Sequence, residues 1–182
     1  MELVRSLNKE YFTHVSISEI TIFLLSNNKR LIAYIPPHST NTICISINFP
    51  LKTFKSVLTH EISHLYINLI NPNLPEWIKE GLATFVSKQI FTNKINKNDF
   101  NFLINNGVPF KKIRWGIAAK HNGYIVAGLF IAYMEKRFGW QKLLKSFSKY
   151  HGNKNIIEHL VKCFAESSAV SLVNKFKKEY VK

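Results

Sequence analysis

The pentapeptide His60-Glu61-Ile62-Ser63-His64 constrains this chain more than any other stretch. Residues four positions apart share one face of an α-helix, so the imidazoles of His60 and His64 can reach the same metal ion. The Glu61 carboxylate points about a quarter-turn away. That position suits a carboxylate that handles a water on the metal and does not bind the metal itself. The alternative is that both histidines are ordinary imidazoles, either on the surface of a helix or half-buried.

The surrounding residues predict that the pentapeptide lies on a helix. Apolar side chains recur every three or four positions and form one helical stripe. The stripe consists of Leu51, Phe54, Leu58, Ile62, Leu65 and Leu69. The segment 71–75 contains two prolines and breaks this helix. A second helix is expected to begin near Glu76 and to run to about Ile90.

Glu80 on this second helix is a candidate third metal ligand, because catalytic zinc generally has three protein ligands and one open position. Beyond His64 the first helix advances about 9 Å, and the second returns about 6 Å to reach Glu80. If the turn folds the helices against each other, Glu80 lies near the level of the histidines. We expect Gly81 to allow their close approach and Trp77 to pack where they cross.

The pattern His-Glu-x-x-His followed by Trp-x-x-Glu-Gly-x-Ala resembles the gluzincin metallopeptidases. It is most similar to the compact peptidase-MA-like domains and, more distantly, to the M1 family of aminopeptidases. The similarity is close over Thr59–Phe85 and looser over 124–147. It implies a zincin-like fold, a zinc ion held by His60, His64 and Glu80, and Glu61 as the general base.

Two departures from the M1 aminopeptidases narrow the expected activity. Only fifteen residues separate His64 from Glu80, fewer than in those enzymes. The Gly-x-Met-Glu-Asn element that they use to hold a substrate's α-amine is absent. We therefore expect an endopeptidase or a dedicated processing enzyme, acting on a peptide or protein substrate.

Peptide hydrolysis also needs a hydrogen-bond donor to the developing oxyanion. Both the resemblance and its position at a helix start suggest Tyr124, with a core or interface tyrosine as the alternative. His121 is the competing donor, and a surface histidine is the alternative there.

Glu76 lies one turn before Glu80 on the second predicted helix. It either accepts a hydrogen bond from a ligand histidine or carries a charge that stabilises the helix N-terminus.

The N-terminal part is expected to be rich in β-structure. A short helix is possible within residues 1–15. Apolar alternation in Ile17–Leu24 and Leu31–Ile35, around the turn-like Ser26–Lys29, predicts a β-hairpin. Thr42–Phe49 is the clearest strand. If it forms a sheet edge, an extended substrate could pair with it, and the alternative is an ordinary strand within the sheet.

The C-terminal half is expected to be helical, apart from a loop or lid over 92–113 that contains one short helix near Asp99–Asn105. The strongest predicted helix spans Gly123–Phe138 and is capped by Gly139. Further helices are expected at Trp140–Tyr150, Asn155–Ala165 and Ser168–Tyr180. The chain is thus predicted to form one compact α+β domain over residues 1–182, β-rich in 1–50 and helical, with the active site, in 51–182.

The chain is strongly basic, with 25 Lys and Arg against 11 Asp and Glu and a net charge of +14. Such a surface attracts polyanions without specificity. The lysines are dispersed, with no Arg-rich cluster and no interleaved aromatic motif, so no specific nucleic-acid function is expected. Two alternative functions are a non-catalytic zinc-binding, peptide-binding module and a basic polyanion-binding protein whose HExxH is accidental.

Cys44 and Cys163 are far apart and belong to no CxxC pair, which favours two buried free thiols in a reducing compartment. No apolar run reaches the roughly 18 residues of a membrane span. The first residues show no apolar signal core, so a cytoplasmic location is expected.

Overall fold

The computed structural model describes residues 2–26, 33–46, 51–90, 92, 94–105, 108–110, 113–152 and 155–182. Its helices are α1 (Glu2–Glu10), α2 (Leu51–Ile70), α3 (Glu76–Val86), α4 (Lys97–Leu103), α5 (Trp115–Lys120), α6 (Gly123–Phe138), α7 (Trp140–Ser148), α8 (Ile156–Cys163) and α9 (Ala169–Tyr180). Its strands are β1 (Thr21–Leu25), β2 (Ala33–Tyr34), β3 (Thr42–Ser46), β4 (Ile104–Asn105) and β5 (Val108–Pro109). The chain is therefore mixed α+β, with a small three-stranded sheet before a mostly helical remainder, as predicted.

The sheet has the order β1-β3-β2, so the predicted hairpin is wrong. β1 pairs in parallel with β3, and β2 pairs with β3 in the antiparallel direction. Alternating apolar residues indicate a strand but carry no information about which strand is its neighbour, and here β3 lies between the two segments. Of the expected turn, Ser26 is described, and residues 27–29 lie outside the described part of the chain.

β3 is the central strand of this sheet. Of its two predicted roles, the ordinary strand within the sheet is therefore correct and the edge that receives substrate is wrong. Ile43, Cys44 and Ile45 are all buried, although consecutive side chains point to opposite faces. Burial on both faces is typical of a central strand, whereas β1 is almost wholly exposed. The predicted continuation of the strand over 47–49 lies outside the described residues.

α2 begins and ends as the apolar stripe predicts, and its central turns are deeply buried. Ile62 and Leu65 contribute to the core, together with Tyr66 and Ile67 on a wider face than the stripe alone suggests. Leu69, in contrast, is 49% exposed. The two histidines of the pentapeptide therefore lie on a helix that its neighbours hold firmly.

The turn between α2 and α3 is fixed by hydrogen bonds to other parts of the chain. The buried Asn71 side chain donates to the carbonyl oxygens of Phe147 and Tyr150 at 2.9 and 2.7 Å, and accepts from the Asn73 N–H at 2.9 Å. Lys79 reaches back from α3 and donates to the side chain of Asn68 at 2.9 Å. These contacts hold α3 in a defined position relative to α2.

α3 starts at Glu76 as predicted but ends at Val86, before the expected Ile90. Lys88 has a φ of 56°, a left-handed backbone conformation that cannot continue a helix. Its backbone N–H donates to Phe85 O at 3.1 Å and closes the last turn.

Gly81 permits a close helix approach, but the partner is α6 and not α2. A Cβ on Gly81 would lie 2.8 Å from the carbonyl oxygen of Ala127. Trp77 likewise stacks on Phe110, at 5.0 Å between ring centroids, and packs edge-on against Phe130 of α6 at 5.5 Å. The α3 face next to Glu80 is thus buried against α6, which the helix-crossing argument did not anticipate.

The segment from 92 to 113 contains more regular structure than a loop. α4 forms close to the predicted short helix, with the Asn96 side chain accepting from the Asn98 N–H at 2.7 Å as an N-cap. The short strands β4 and β5 follow it and pair with each other. α5 was not predicted, although it leads directly into α6.

The C-terminal helices match their predicted positions to within two residues at each end. Gly139 lies between α6 and α7 with a positive φ of 81°, and its N–H donates to Glu135 O at 2.8 Å, in agreement with its predicted capping role.

Cys44 is buried, but Cys163 is exposed, so the expectation of two buried thiols is only half right. None of the helices in the described ranges has both the length and the apolar character needed to cross a lipid bilayer.

Candidate metal centre

Three side chains that the sequence singles out meet in the structure. Nε2 of His60 lies 3.1 Å from Nε2 of His64 and 3.2 Å from Oε2 of Glu80. Nε2 of His64 lies 3.5 Å from the same carboxylate oxygen. Within the described residues, this is the one group of three or more His, Cys, Asp or Glu side chains arranged as metal ligands.

These distances fit three corners of a zinc tetrahedron. Zinc binds imidazole nitrogens and carboxylate oxygens at about 2.0–2.2 Å, so neighbouring ligand atoms around it are roughly 3.4 Å apart. The observed separations of 3.1, 3.2 and 3.5 Å bracket that value. Both histidines present Nε2 to the common point, and no fourth His, Cys, Asp or Glu of the described residues joins them. A tetrahedral ion held by these three would have one position for a non-protein ligand.

Protons alone satisfy this arrangement poorly. Each imidazole nitrogen carries at most one proton, and the carboxylate oxygen carries none when ionised. When both histidines donate from Nε2 to Oε2 of Glu80, the two Nε2 atoms lie only 3.1 Å apart and both carry a hydrogen. A cation at the centre of the triangle would satisfy all three ligand atoms at once.

Glu80 is held in the ionised form that a metal ligand needs. Burial alone would raise the pKa of this carboxyl group, but the hydrogen bonds and charges of His60 and His64 outweigh that effect. Together they lower the pKa of Glu80 to about 2. The carboxylate is therefore negatively charged across the neutral range.

Glu76 does not act as an acceptor for a ligand histidine within the described residues. It lies exposed in the first turn of α3, where a negative charge stabilises the helix N-terminus.

Nδ1 of His60, the ring nitrogen that faces away from Glu80, is buried and has no hydrogen-bond partner in the described part of the chain. The ring orientation of His60 is thus set by packing and not by a second hydrogen bond of the usual kind.

Glu61 lies beside the histidines on α2 and is partly buried. Burial raises the pKa of its carboxyl group above the ordinary value, and the nearby His64 and His60 oppose the rise. A carboxylate with a raised pKa accepts a proton more readily near neutral pH. The environment of Glu61 therefore suits a general base.

Tyr124 lies at the edge of the same centre, at the start of α6. Its ring centroid is 6.2 Å from that of His60. Burial raises the pKa of the phenol, the charge of Glu80 raises it further, and the nearby Trp115 indole opposes the rise. The phenol therefore keeps its proton at neutral pH and remains a hydrogen-bond donor.

The tight corner between α5 and α6 sets the position of Tyr124, the second residue of α6. Asn122 adopts a left-handed conformation with a φ of 57°. A Cβ on the next residue, Gly123, would lie 2.6 Å from the carbonyl oxygen of Ala118, so only glycine fits this tight corner. The Trp115 ring packs edge-on against Tyr124 with centroids 5.0 Å apart.

His121 has other partners than the metal centre. Its ring stacks on Phe102 with centroids 4.0 Å apart, and its Nδ1 lies 3.7 Å from Oδ1 of Asp99. Asp99 also accepts a hydrogen bond from the Asn122 side chain at 2.7 Å. Among the described residues, the contacts of His121 thus connect α4 to the α5–α6 corner, whereas the Tyr124 ring lies next to His60.

Trp115 is the residue of this site that sequence reasoning missed. Its indole N–H is buried and makes no hydrogen bond of standard geometry with a described residue. Nothing in the local pattern of 113–120 marks it, because its importance comes from contact with Tyr124 on the following helix.

Comparison of the chain with models of protein families, with curated proteins and with solved structures gave no match in any of the three.

Proposed function

We propose that this protein is a zinc-dependent peptidase of the gluzincin type with a zincin-like fold. The observation that carries the proposal is the triangle of His60, His64 and Glu80 ligand atoms, with sides of 3.1, 3.2 and 3.5 Å. A His₂Glu set with an open fourth position is the ligand set of catalytic and not of closed structural zinc. The sequence resemblance supports the same assignment.

Zinc at this centre would supply Lewis-acid chemistry, activating a water and polarising the scissile carbonyl. The protein's own part in proton transfer falls to Glu61. Its carboxylate takes the proton of the attacking water and passes it to the leaving amine. The partly buried position of Glu61 raises its pKa and suits it to both steps.

Tyr124 supplies the donor for the developing oxyanion. Its phenol is protonated at neutral pH, and its ring lies next to His60. A donor placed in advance stabilises the negative charge that appears on the carbonyl oxygen as the peptide bond is attacked. The edge-on contact with the Trp115 ring supports the phenol in this position.

The substrate class is a peptide or protein cut internally. The amine-binding element of the M1 aminopeptidases is absent from the sequence. Specificity for a free N-terminus therefore does not carry over, and an endopeptidase or a dedicated processing enzyme fits better.

Cleavage of a denatured-protein and peptide library by the zinc-loaded protein tests this function. We expect mass spectrometry to reveal internal cleavage by the wild type. We also expect Glu61→Gln to keep its zinc and lose at least a hundredfold in rate, because the water loses its base. The Glu76→Gln protein is the matched control and should cleave at nearly the normal rate.

The same experiment separates the two alternatives. Stoichiometric zinc without cleavage of any peptide would identify a non-catalytic zinc-binding module. Absence of zinc, with steeply salt-dependent binding to polyanions, would identify a basic protein whose HExxH is accidental. Normal cleavage by Glu61→Gln would remove Glu61 from the mechanism.

A further inference from the structure

A cavity lies away from the metal centre, between the end of α2, the α1–β1 connection and α7. Its volume is about 600 Å³, within the range of small-molecule sites. None of the five residues assigned to the peptidase site lines it. The exposed Leu69, which breaks the burial of the α2 stripe, forms part of its wall.

The walls of the cavity are predominantly apolar. They are formed by Phe12, Val15, Leu69, Ile70 and Leu144. Phe12 is fully buried, whereas Leu69 is 49% exposed, so the lining extends from the core to the surface. A surface of this kind favours a hydrocarbon chain, because removing apolar area from water stabilises the complex.

The rim of the cavity is positively charged. Lys142 and Lys145 lie one turn apart on α7, are both exposed and supply this charge, and His14 of the α1–β1 connection also lines the cavity. The part of the chain that the structure describes places no Asp or Glu in the lining. Among the described residues, neither lysine forms an ion pair, so their charge is available to an incoming anion.

The cavity is formed by elements that are held together independently of any ligand. The Trp140 indole N–H donates to the carbonyl oxygen of Tyr11 at 2.6 Å, which attaches α7 to the end of α1. Asn71, directly after Ile70, donates to Phe147 O and Tyr150 O and attaches α2 to α7. A preformed cavity loses little conformational entropy on binding.

We propose that this cavity binds a fatty acid, with the hydrocarbon chain against the apolar wall and the carboxylate at Lys142 and Lys145. A negatively charged head and an apolar tail complement the basic rim and the apolar walls together. A neutral or cationic amphiphile matches only the walls. This inference is independent of the proposed peptidase activity.

Calorimetric titration with dodecanoate, below its micelle concentration, tests the proposal. We expect saturable binding of one dodecanoate per chain. Dodecyltrimethylammonium, with the same chain length and the opposite charge, should bind at least tenfold more weakly. Equal binding of the two amphiphiles, or no saturable binding of dodecanoate, would overturn the proposal.

Substitutions in the lining test whether dodecanoate binds in this cavity. The double variant Lys142→Glu/Lys145→Glu should lower dodecanoate affinity at least tenfold. The charge-matched control Lys162→Glu/Lys178→Glu, which changes exposed lysines outside the cavity, should change it less than twofold. Leu69→Asp alters an exposed wall residue and should also weaken binding at least tenfold, with circular dichroism confirming that each variant is folded. Equal effects of the two double variants would reduce the binding to general charge attraction and contradict the site.

Discussion

Nε2 of His60 lies 3.2 Å from Oε2 of Glu80, twenty residues later in the chain and on a different helix. The contact exists because the α2–α3 turn folds the two helices side by side. That turn is pinned by Asn71 to the end of α7. The third candidate ligand is therefore supplied by tertiary structure, whereas the spacing of His60 and His64 is a property of one helix.

Packing of α3 against α6 should be sensitive to any side chain at position 81. Gly81→Ala would place a Cβ 2.8 Å from the backbone oxygen of Ala127. Because a backbone atom cannot move aside as a flexible side chain can, we expect a loss of about 1–3 kcal/mol in the free energy of unfolding. Denaturant unfolding of the metal-free protein measures it.

Gly116→Ala is the matched control for that substitution. A Cβ at this helical position meets nothing within 4 Å. Replacing an unhindered helical glycine with alanine should leave stability unchanged or raise it by up to about 1 kcal/mol. Equal effects of the two substitutions would show that the α3–α6 approach is not as close as described.

Removal of the Tyr124 hydroxyl should affect catalysis and not zinc binding. We expect Tyr124→Phe to lower kcat by about 10²–10³-fold while KM changes little, because the lost hydrogen bond forms in the transition state. The ring and its contacts with Trp115 and His60 are kept in this variant. Steady-state kinetics, with zinc content measured in parallel, tests the prediction, and an unchanged kcat would assign the oxyanion donor elsewhere.

In the metal-free protein, Glu80 should make stability depend on pH in the acidic range. The pKa of Glu80 is lowered to about 2 in the folded protein, from an ordinary value of 4.5. The ionised carboxylate therefore stabilises the fold above about pH 4.5, and this contribution is lost as the pH falls towards 2.

Thermal unfolding of the wild type and of Glu80→Gln in the presence of a chelator measures this effect. The stability advantage of the wild type should be complete above about pH 5 and should shrink steadily towards pH 2. Carboxyl groups distant from Glu80 titrate alike in both proteins, so their contributions cancel in the difference. A difference that stays constant or grows with acidification would show that the histidines do not lower the pKa of Glu80.

Local patterns predicted the helices well and the sheet poorly, for a physical reason. The limits of α6 and the cap at Gly139 follow from residues close in sequence, because helical hydrogen bonds are local. The pairing of β1 with β3 is non-local, and nothing in the sequence of either strand indicates which strand is its neighbour. The false hairpin arose from treating neighbours in sequence as neighbours in the sheet.

The candidate site likewise combines features that the local sequence predicts with features that only tertiary contacts supply. The HExxH spacing brings His60 and His64 together, and a folded-back second helix places Glu80 beside them. The neighbour of Gly81, in contrast, comes from α6, and the Tyr124 ring contacts Trp115 in a helix that was not predicted. Residues that support a site from elsewhere in the chain leave no pattern around the motif.

The zinc content of the purified protein tests the central claim most directly. After dialysis against a zinc buffer, elemental analysis should find one zinc per chain in the wild type. It should find almost none in His60→Ala, His64→Ala and Glu80→Ala under the same conditions. Glu76→Ala, one turn away on the same helix, should keep one zinc per chain. Full zinc occupancy in Glu80→Ala, or no zinc in the wild type, would contradict a three-ligand centre at His60, His64 and Glu80.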